Sequence, residues 1–373
     1  MSWYYDIPNL LVCIAAVIIV CRINLIPYWI GIILGSYSLI PFFLNDFLFP
    51  AVFMSDQFFY TETLKEVRSF NFFPDKDKNA LVTSWLLSIL PLPYVETVKS
   101  IGFYNRFLFL ILFVWLYNKK FLRGMPLFFI IFYPSLIFYT SLSLRDPLIL
   151  FLMIVGVIFL IDKKYIKFLF IILPLLFIKW QNFFFMLILA AFFLILKKPK
   201  LNYLIRFPIY GSIILSLIIY FDDLLYYLNL FRGALFQENG GLWNEYIPLS
   251  NFYDLALNGI IAFPHFLMKP LFWEARNLFQ FVQSFENVFV LIFLIYFTWK
   301  SYLEDKFITV RWLTYFIFVM TIYGLAVYNF GTAVRYKYPF LVMYIVGISY
   351  ELYKVRGYLF SSEFKKKVIL KKN

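Results

Sequence analysis

The sequence predicts an all-α polytopic membrane protein in which about eleven helices cross a bilayer. Three observations support this fold class. First, 63% of the 373 residues are hydrophobic and only 15% are charged, whereas soluble domains carry roughly 25% charged residues. Second, whole segments such as 107–117 and 148–161 contain no charged residue, so they need an apolar environment on every side. Third, basic residues recur after every second apolar segment.

The apolar segments define the candidate transmembrane helices. Several are shorter than the ~20 residues that a helix perpendicular to the membrane needs, so we expect them to extend into their flanks. The count holds to within one or two, at about ten to thirteen crossings, because each of the two proline-containing apolar segments described below could be a further span. The candidate spans are approximately 8–21, 25–48, 101–118, 124–141, 147–162, 167–180, 183–196, 203–221, 284–299, 308–328 and 338–354.

Basic residues orient these spans, because the cytoplasmic loops of membrane proteins are enriched in Lys and Arg. The pattern places the basic C-terminal tail, 355–373, in the cytoplasm and the N-terminus outside. It also accounts for the net charge of +13, so we expect no nucleic-acid partner. The cytoplasmic clusters are Arg22, Lys119–Lys120–Arg123, Lys163–Lys164–Lys167, Lys197–Lys198–Lys200–Arg206 and Lys300–Lys306–Arg311.

Two long loops then lie on the exterior side of a single transmembrane domain, 1–373. The first, 49–100, contains a short apolar segment at 81–93 with two prolines. Counting it as a span would break the alternation of the basic loops, so we expect a re-entrant or interfacial helix there. The second loop, 222–283, contains a similar apolar segment at 260–273, also interrupted by prolines.

Ionisable residues at the edge of an apolar segment are costly, and they mark candidate functional sites. Arg145 and Asp146 directly precede such a segment. Arg145 could bind a phosphate or pyrophosphate group through paired hydrogen bonds. The alternative is structural, because a carboxylate is favoured near a helix N-terminus and Pro147 suits the first turn of a helix.

A second candidate group lies in the predicted exterior turn 329–339, which carries Arg335 and Lys337. Positive charge on the exterior side runs against the orientation rule, and an anionic, lipid-linked substrate would explain it. The alternative is that both side chains reach the phosphates of the outer leaflet without specificity.

The first exterior loop contributes Asp56 and Tyr60. Asp56 follows an apolar span closely, so we expect it near the membrane plane, where a carboxylate could act as general base towards a sugar hydroxyl. The alternative is a solvated loop charge, an interpretation that suits Glu62 and Glu66 at least as well.

The second loop contributes Arg232, His265, Lys269, Glu274 and Arg276, of which Arg276 is the better candidate for binding an anion because it lies close to the next span. His265 is the single histidine, so a metal cluster built on histidines is excluded. A lone histidine in an apolar stretch is more often structural than catalytic. We expect neither a metal nor another cofactor.

The sequence lacks a Walker A loop, a dinucleotide-binding glycine fingerprint and a nucleophile elbow. The predicted cytoplasmic loops are short and the exterior loops are long. We therefore expect any chemistry on the exterior side, on a substrate that a lipid already carries.

Three stretches carry a family resemblance: SDQFFY at 55–60, YPSLIFYTSLSLRDPLI at 133–149 and the residues 335–339. Together with the number of spans and the two exterior loops, they resemble the O-antigen polymerases of the Wzy type and, more broadly, the membrane glycosyltransferases of the GT-C class. The resemblance covers the layout of most of the chain. It implies a GT-C-like fold in the bacterial inner membrane, with the active site facing the periplasm.

The resemblance also implies an activity, namely metal-independent transfer of a glycan from an undecaprenyl-diphosphate carrier to a lipid-linked repeat unit. The leaving diphosphate would be stabilised by exterior cations, and a carboxylate would activate the acceptor hydroxyl. Membrane lipids and the lipid-linked oligosaccharide would be the partners, and a protein that regulates chain length could be a further one. The implied cations are Arg145, Arg276, Arg335, Lys337 and Arg232, and the implied bases are Asp56 and Asp146.

Other functions stay open on the sequence alone. An O-antigen ligase would depend on a histidine in a late exterior loop, which His265 could supply, and a GT-C enzyme could use a polyprenyl-phosphate sugar instead. A flippase or transporter predicts charges buried in the middle of several spans, together with inverted repeats. Lys179 is the nearest such charge, and no repeat is visible. A non-enzymatic scaffold predicts no clustering of exterior cations.

Overall fold

A computed structural model describes residues 3–45, 47–195, 219–238, 246–327 and 329–370. Over these residues the all-α prediction is confirmed, because they form helices and no β-strand. The predicted span 203–221 lies outside the described residues except for its last three positions. The helices are α1 (Ile7–Arg22), α2 (Tyr28–Tyr37), α3 (Ile40–Leu44), α4 (Asp56–Arg68), α5 (Lys78–Ser88), α6 (Ser100–Asn118), α7 (Met125–Phe132), α8 (Pro134–Tyr139), α9 (Asp146–Ile161), α10 (Tyr165–Ile172), α11 (Leu175–Ile178), α12 (Trp180–Ile195), α13 (Phe221–Glu238), α14 (Phe252–Met268), α15 (Leu278–Glu304), α16 (Lys306–Ala326) and α17 (Phe330–Leu370).

Within the described part of the chain, four helices are long and apolar enough to cross a membrane. They are Tyr4–Arg22, which contains α1, and the helices α6, α15 and α16. Several shorter apolar helices, among them α9, α12 and α14, accompany them. The composition of these helices supports a membrane-spanning protein, since a helix that is hydrophobic on most faces needs lipid or protein all round.

Prolines interrupt several of the predicted spans. The segment 124–141 forms two helices that meet at Tyr133, which has an extended backbone directly before Pro134. A residue before proline is disfavoured in the helical conformation, so the break follows from the sequence. The helices α11 and α12 are separated by Lys179, whose backbone is not helical (φ −159°, ψ 84°).

The chain contains two compact units, of which the first comprises Met1–Met186 and Ile345–Asn373 and the second Leu187–Tyr344. In the first unit, α6 and α9 are buried along most of their length. They flank a buried, non-helical segment, 140–144, between α8 and α9. Such a backbone is tolerated inside an apolar protein only when its polar groups are bonded.

Side chains from neighbouring helices satisfy this segment. The amide of Asn105 donates to the carbonyls of Leu142 and Leu144 at 2.6 and 2.8 Å. The N–H of Ser143 donates to Oε1 of Gln57 at 3.1 Å. The backbone that carries Arg145 and Asp146 is therefore held by α4 and α6.

In the second unit, α14 packs closely against α16. At Gly324 a Cβ would meet the carbonyl oxygen of Ala262 at 2.5 Å, so only glycine allows this approach. The rings of Phe266 and Tyr323 stack beside it, with centroids 6.2 Å apart. Asp305 alone connects α15 to α16, and its Oδ1 accepts the N–H of Ile308 at 3.0 Å as an N-cap.

The structure differs from two local predictions. Residues 329–339 are not an exterior turn, because α17 begins at Phe330 and continues through Pro339. Arg311, assigned to a basic loop, lies inside α16 and is buried, with its guanidinium 3.9 Å above the ring of Phe193. In both places the structure has a helix where charged residues or a proline had led us to predict a loop between helices.

Candidate functional site

A cavity of about 360 Å³ in the second unit is the candidate site that the described residues form. This volume lies within the range of roughly 300–1,000 Å³ that is typical of small-molecule sites. It is bounded by α13, by α14, by the end of α16 and by the start of α17. Polar and charged side chains line part of the wall, and the rest is apolar. The polar members are Arg232, Asn258, His265, Lys269 and Asn329, and the large apolar ones are Ile261, Phe266, Leu325 and Phe330.

The sequence of α14 explains why one of its faces forms this wall. Asn258, Ile261, Ala262, His265 and Phe266 follow the spacing of three, four, seven and eight residues that places side chains on one side of a helix. The helix begins at an N-cap in which Oδ1 of Asn251 accepts the N–H of Asp254 at 2.9 Å.

Three nitrogen-bearing side chains converge on the cavity. Arg232 is buried in α13, and its guanidinium lies 5.9 Å from the centre of the Tyr246 ring. His265 is exposed on α14, so the cavity reaches the surface. Lys269 follows the end of α14, and its Nζ is 2.8 Å from Oε1 of Glu274. Positive charge beside an apolar wall suits an anionic group attached to an apolar chain.

Glu274 provides the counter-charge of Lys269. The hydrogen bond from Lys269 makes the largest contribution to lowering the pKa of this carboxyl, and the hydrogen bond from the N–H of Leu271 makes the next largest. The charges of Lys269 and His265 lower the pKa as well. Glu274 is therefore ionised at neutral pH. An anion that enters the cavity would compete with it for the ammonium of Lys269.

In the first unit, the structure brings two of the predicted residues together. The guanidinium of Arg145 lies 5.8 Å from the centre of the Tyr60 ring, and its Nη1 donates to the carbonyl of Ile178 at 2.8 Å. Ile178 ends α11 immediately before the break at Lys179. Arg145 is thus fixed between α4 and the interrupted helix pair α11 and α12.

The predicted carboxylates of this unit differ in environment. Asp56 is exposed at the first position of α4, one helical turn before Tyr60. Asp146 is 1% exposed at the first position of α9, followed by Pro147. This is the helix-terminal position that the structural alternative predicted for Asp146, whereas the accessibility of Asp56 suits a base that must meet a substrate.

The remaining predicted cations do not line the cavity of the second unit. Arg276 is exposed, and its backbone N–H donates to Oε1 of Gln280 at 2.8 Å. Arg335 is half-buried on α17. Lys337 is buried, and its Nζ donates to Asn287 Oδ1 and to the carbonyl of Leu267. Of the predicted residues in this unit, Arg232, His265 and Lys269 are those that the cavity brings together.

Sequence reasoning missed two kinds of polar residue. The cavity residue Asn258 carries no charge and could have been found only through the helical spacing around His265. Arg106, in contrast, was visible as a charge inside the predicted span 101–118. It is 4% exposed within α6, with Nε 2.6 Å from Oγ of Ser141 and Nη2 2.6 Å from the carbonyl of Ile137.

Among the described residues, no group of three or more His, Cys, Asp or Glu side chains could hold a metal ion. Comparison with known proteins adds no family: no protein-family model, curated protein or solved structure matches this chain. The cavity and its charges therefore carry the functional argument.

Proposed function

We propose that this chain is a membrane glycosyltransferase that moves a glycan from a polyprenyl-diphosphate carrier to a lipid-linked acceptor, as in polymerisation of a bacterial surface polysaccharide. The observation that carries the proposal is the cavity in which Arg232, His265 and Lys269 face an apolar wall. A polyprenyl diphosphate has the same two-part character, with an anionic diphosphate joined to an apolar chain.

The chemistry of such a transfer fits the cavity's charges. When the glycosyl bond breaks, negative charge develops on the departing diphosphate, and fixed cations stabilise the transition state more than the ground state. Arg232 offers a planar fork for two phosphate oxygens, whereas the ammonium of Lys269 is a mobile point charge. The apolar side chains Phe266 and Phe330 would contact the first carbons of the lipid.

The finer topology belongs to the same proposal. About eleven crossings in a GT-C-like arrangement would place this chemistry on the periplasmic side of the inner membrane. Asp56, the exposed one of the two predicted carboxylates, would take the proton of the acceptor hydroxyl, and Arg145, Arg276 and Arg335 would bind further substrate charge, whereas Asp146 and Lys337 are buried. An O-antigen ligase, with His265 in the reaction, and an enzyme that uses a polyprenyl-phosphate sugar are variants of this function.

A matched pair of variants tests the cavity. Lys269→Gln and Glu274→Gln both break the same 2.8 Å ion pair, but only the first removes positive charge from the cavity. Each variant is expressed in cells from which the gene has been deleted, and the surface polysaccharide is separated on a gel. We expect Lys269→Gln to abolish the ladder of long chains while single-unit product remains, and Glu274→Gln to preserve the ladder. If both variants keep the ladder of long chains, the cavity is not the site of the reaction.

A second function, a flippase or transporter of lipid-linked glycans, is favoured by a separate observation. Arg106 and Arg311 are buried within α6 and α16, which are both candidate membrane spans, and intramembrane charges often mark transport pathways. The deletion separates the two functions. Loss of every lipid-linked product at the outer face would favour the flippase, loss of the ladder alone favours the polymerase, and an unchanged pattern would exclude both.

A further inference from the structure

Three phenylalanines in the first exterior loop form an exposed cluster, which we call the aromatic turn (residues 70–73). The exposed fractions of Phe70, Phe72 and Phe73 are 81%, 50% and 79%. The turn connects α4 to the segment that leads into α5. Three adjacent exposed phenyl rings are unusual for a surface in water, because contiguous apolar patches of this kind mark contact sites.

Phe70 has a backbone conformation that a phenylalanine rarely adopts. Its φ is +68°, and it stands directly after the last turn of α4, where the N–H of Asn71 donates to the carbonyl of Glu66 and the N–H of Phe70 to that of Val67. This is the left-handed position at which helices usually end in glycine. An aromatic residue at this position is strained.

The aromatic turn is pre-organised by its neighbours. The indole N–H of Trp85, in α5, donates to the carbonyl of Phe72 at 2.8 Å, and the same indole packs edge-on against Phe73 at 5.6 Å. Lys76 pairs with Glu62 and Glu66 on α4 at 3.4 and 3.6 Å. The rings are therefore presented on a fixed turn without being covered.

The position of the turn relative to a candidate membrane span is also defined. Arg68, two residues before Phe70, donates to the hydroxyl of Tyr104 and to the carbonyl of Leu92. Tyr104 is the fifth residue of α6, which is long and apolar enough to cross a membrane. At 1.5 Å per residue, Tyr104 lies about 6 Å from the start of that helix. The aromatic turn consequently begins beside the end of a span.

The charges around the turn cancel. Between Glu62 and Lys78 there are four acidic residues (Glu62, Glu66, Asp75, Asp77) and four basic ones (Lys65, Arg68, Lys76, Lys78). A neutral surround gives no electrostatic preference for an anionic partner, so apolar contact dominates. Amphipathic and aromatic side chains at the end of a span are typical of the membrane interface.

We propose that the aromatic turn is a membrane anchor: Phe70, Phe72 and Phe73 insert into the interfacial layer of the bilayer on the side where α6 begins. The anchor would hold the first loop, with Asp56 and Tyr60 on α4, against the lipid surface. This inference needs only a membrane around α6 and does not depend on the proposed reaction.

A fluorescent label at the centre of the turn tests the anchor. Asn71→Cys is labelled with an environment-sensitive maleimide in full-length protein held in phosphatidylcholine nanodiscs with one copy per disc. The two native cysteines, Cys13 and Cys21, are buried, and the unsubstituted chain provides the blank. We expect emission shifted to shorter wavelength and quenching by nitroxide-labelled lipid rather than by aqueous iodide.

Matched substitutions separate an anchor from a structural role. Phe72→Ser with Phe73→Ser should return the emission to its value in water, whereas Phe72→Leu with Phe73→Leu should preserve the shift. Phe70→Gly should weaken the shift while the thermal unfolding midpoint in detergent stays equal or rises, because glycine suits φ +68°.

Three results would overturn the proposal. The first is a label in the native sequence that iodide quenches as efficiently as it quenches free dye. The second is an emission shift that survives the paired serine substitutions. The third is a shift that appears only in discs with two copies, which would assign the turn to protein–protein contact instead.

Discussion

The ammonium of Lys337 lies 2.6 Å from Oδ1 of Asn287 and 3.1 Å from the carbonyl oxygen of Leu267, although Lys337 is only 1% exposed. Asn287 in turn donates to the carbonyl of Met268 at 3.0 Å. The last carbonyls of a helix lack partners within the helix, so Lys337 and Asn287 cap α14 from α17 and α15. Because Lys269 follows directly, this clamp fixes the end of the cavity wall.

Replacing Lys337 by methionine should destabilise the protein by about 2–4 kcal/mol. The substitution preserves the volume of the side chain but removes the donor for both Asn287 Oδ1 and the Leu267 carbonyl, and each buried acceptor without a donor costs about 1–3 kcal/mol. Thermal or denaturant unfolding in detergent measures the change. Arg276→Met, at an exposed cation, is the control and should change stability by less than about 0.5 kcal/mol.

The clamp also predicts non-additivity. Asn287→Leu removes the acceptor, so the pair Lys337→Met with Asn287→Leu should cost less than the sum of the two single substitutions, as expected for groups that contact each other. A sum that holds within about 0.5 kcal/mol would show that the two side chains act independently, contrary to the 2.6 Å contact.

The Lys269–Glu274 pair predicts a pH-dependent contribution to stability. Since the folded pKa of Glu274 lies below its ordinary value of 4.5, the pair stabilises the folded state above that value. The contribution is lost as the pH falls through the folded pKa. At neutral pH we expect about 0.5–1 kcal/mol for this partly exposed pair. The unfolding midpoint of the native chain minus that of Glu274→Gln should therefore shrink towards zero below about pH 4. A difference independent of pH would contradict this.

Helix positions could be predicted from the sequence where apolar runs are free of charge and proline. The predicted spans 101–118 and 147–162 correspond within one residue to α6 and α9. The prediction was weaker near prolines, where local propensity and tertiary packing disagree. Pro134 interrupts a predicted span, while Pro339 lies inside α17 although it suggested a turn. Packing against neighbouring segments decides whether a proline breaks the helix or is accommodated in it, and this packing cannot be read from a single sequence.

The candidate site was only partly predictable. Charge identified Arg232, His265 and Lys269, because ionisable residues near apolar segments are conspicuous. That Lys337 is buried beneath α14 depends on the packing of three helices that are distant in sequence. The eleven-span topology and the roles of Asp56, Asp146, Arg145 and Arg335 stay predictions.

Arg106 allows a test of whether a buried charge is there for stability. Its contacts are the neutral groups Ser141 Oγ and the Ile137 carbonyl, together with the Tyr37 ring at 5.5 Å. The Ile137 carbonyl also accepts from Ser141 at 2.8 Å, so it keeps a donor without Arg106. Replacing a buried ion by an apolar residue of similar size is often neutral or stabilising.

We therefore expect Arg106→Met to change the free energy of unfolding by less than about 1 kcal/mol, whereas Arg106→Ala should cost about 2–5 kcal/mol because it leaves a cavity. If Arg106→Met nevertheless reduces the cellular polysaccharide phenotype, the charge serves function. A loss of stability in Arg106→Met as large as that in Arg106→Ala would instead assign Arg106 to the fold.

In the first unit, Asp162 binds α17 through two successive turns of that helix. Directly after α9, its Oδ1 accepts the hydroxyl of Tyr350 at 2.8 Å and the ammonium of Lys354 at 2.5 Å. Burial raises the pKa of Asp162. The hydrogen bonds from Lys354 and Tyr350, together with the charges of Lys354 and Lys119, lower the pKa by more than burial raises it, so the net pKa is below the ordinary value. The carboxylate is thus ionised at neutral pH and holds both donors.

Tyr350→Phe should cost about 0.5–1.5 kcal/mol, the usual contribution of one hydrogen bond. Lys354→Met should cost about 0.5–1 kcal/mol, because the Lys354 side chain is 34% exposed. Asp162→Asn should cost more than either, since it weakens both bonds at once. Hydrogen exchange of the α17 amides near Lys354, compared with those of α6, measures the loosening. Equal exchange in Asp162→Asn and in the native chain would show that α17 is held by its apolar contacts alone.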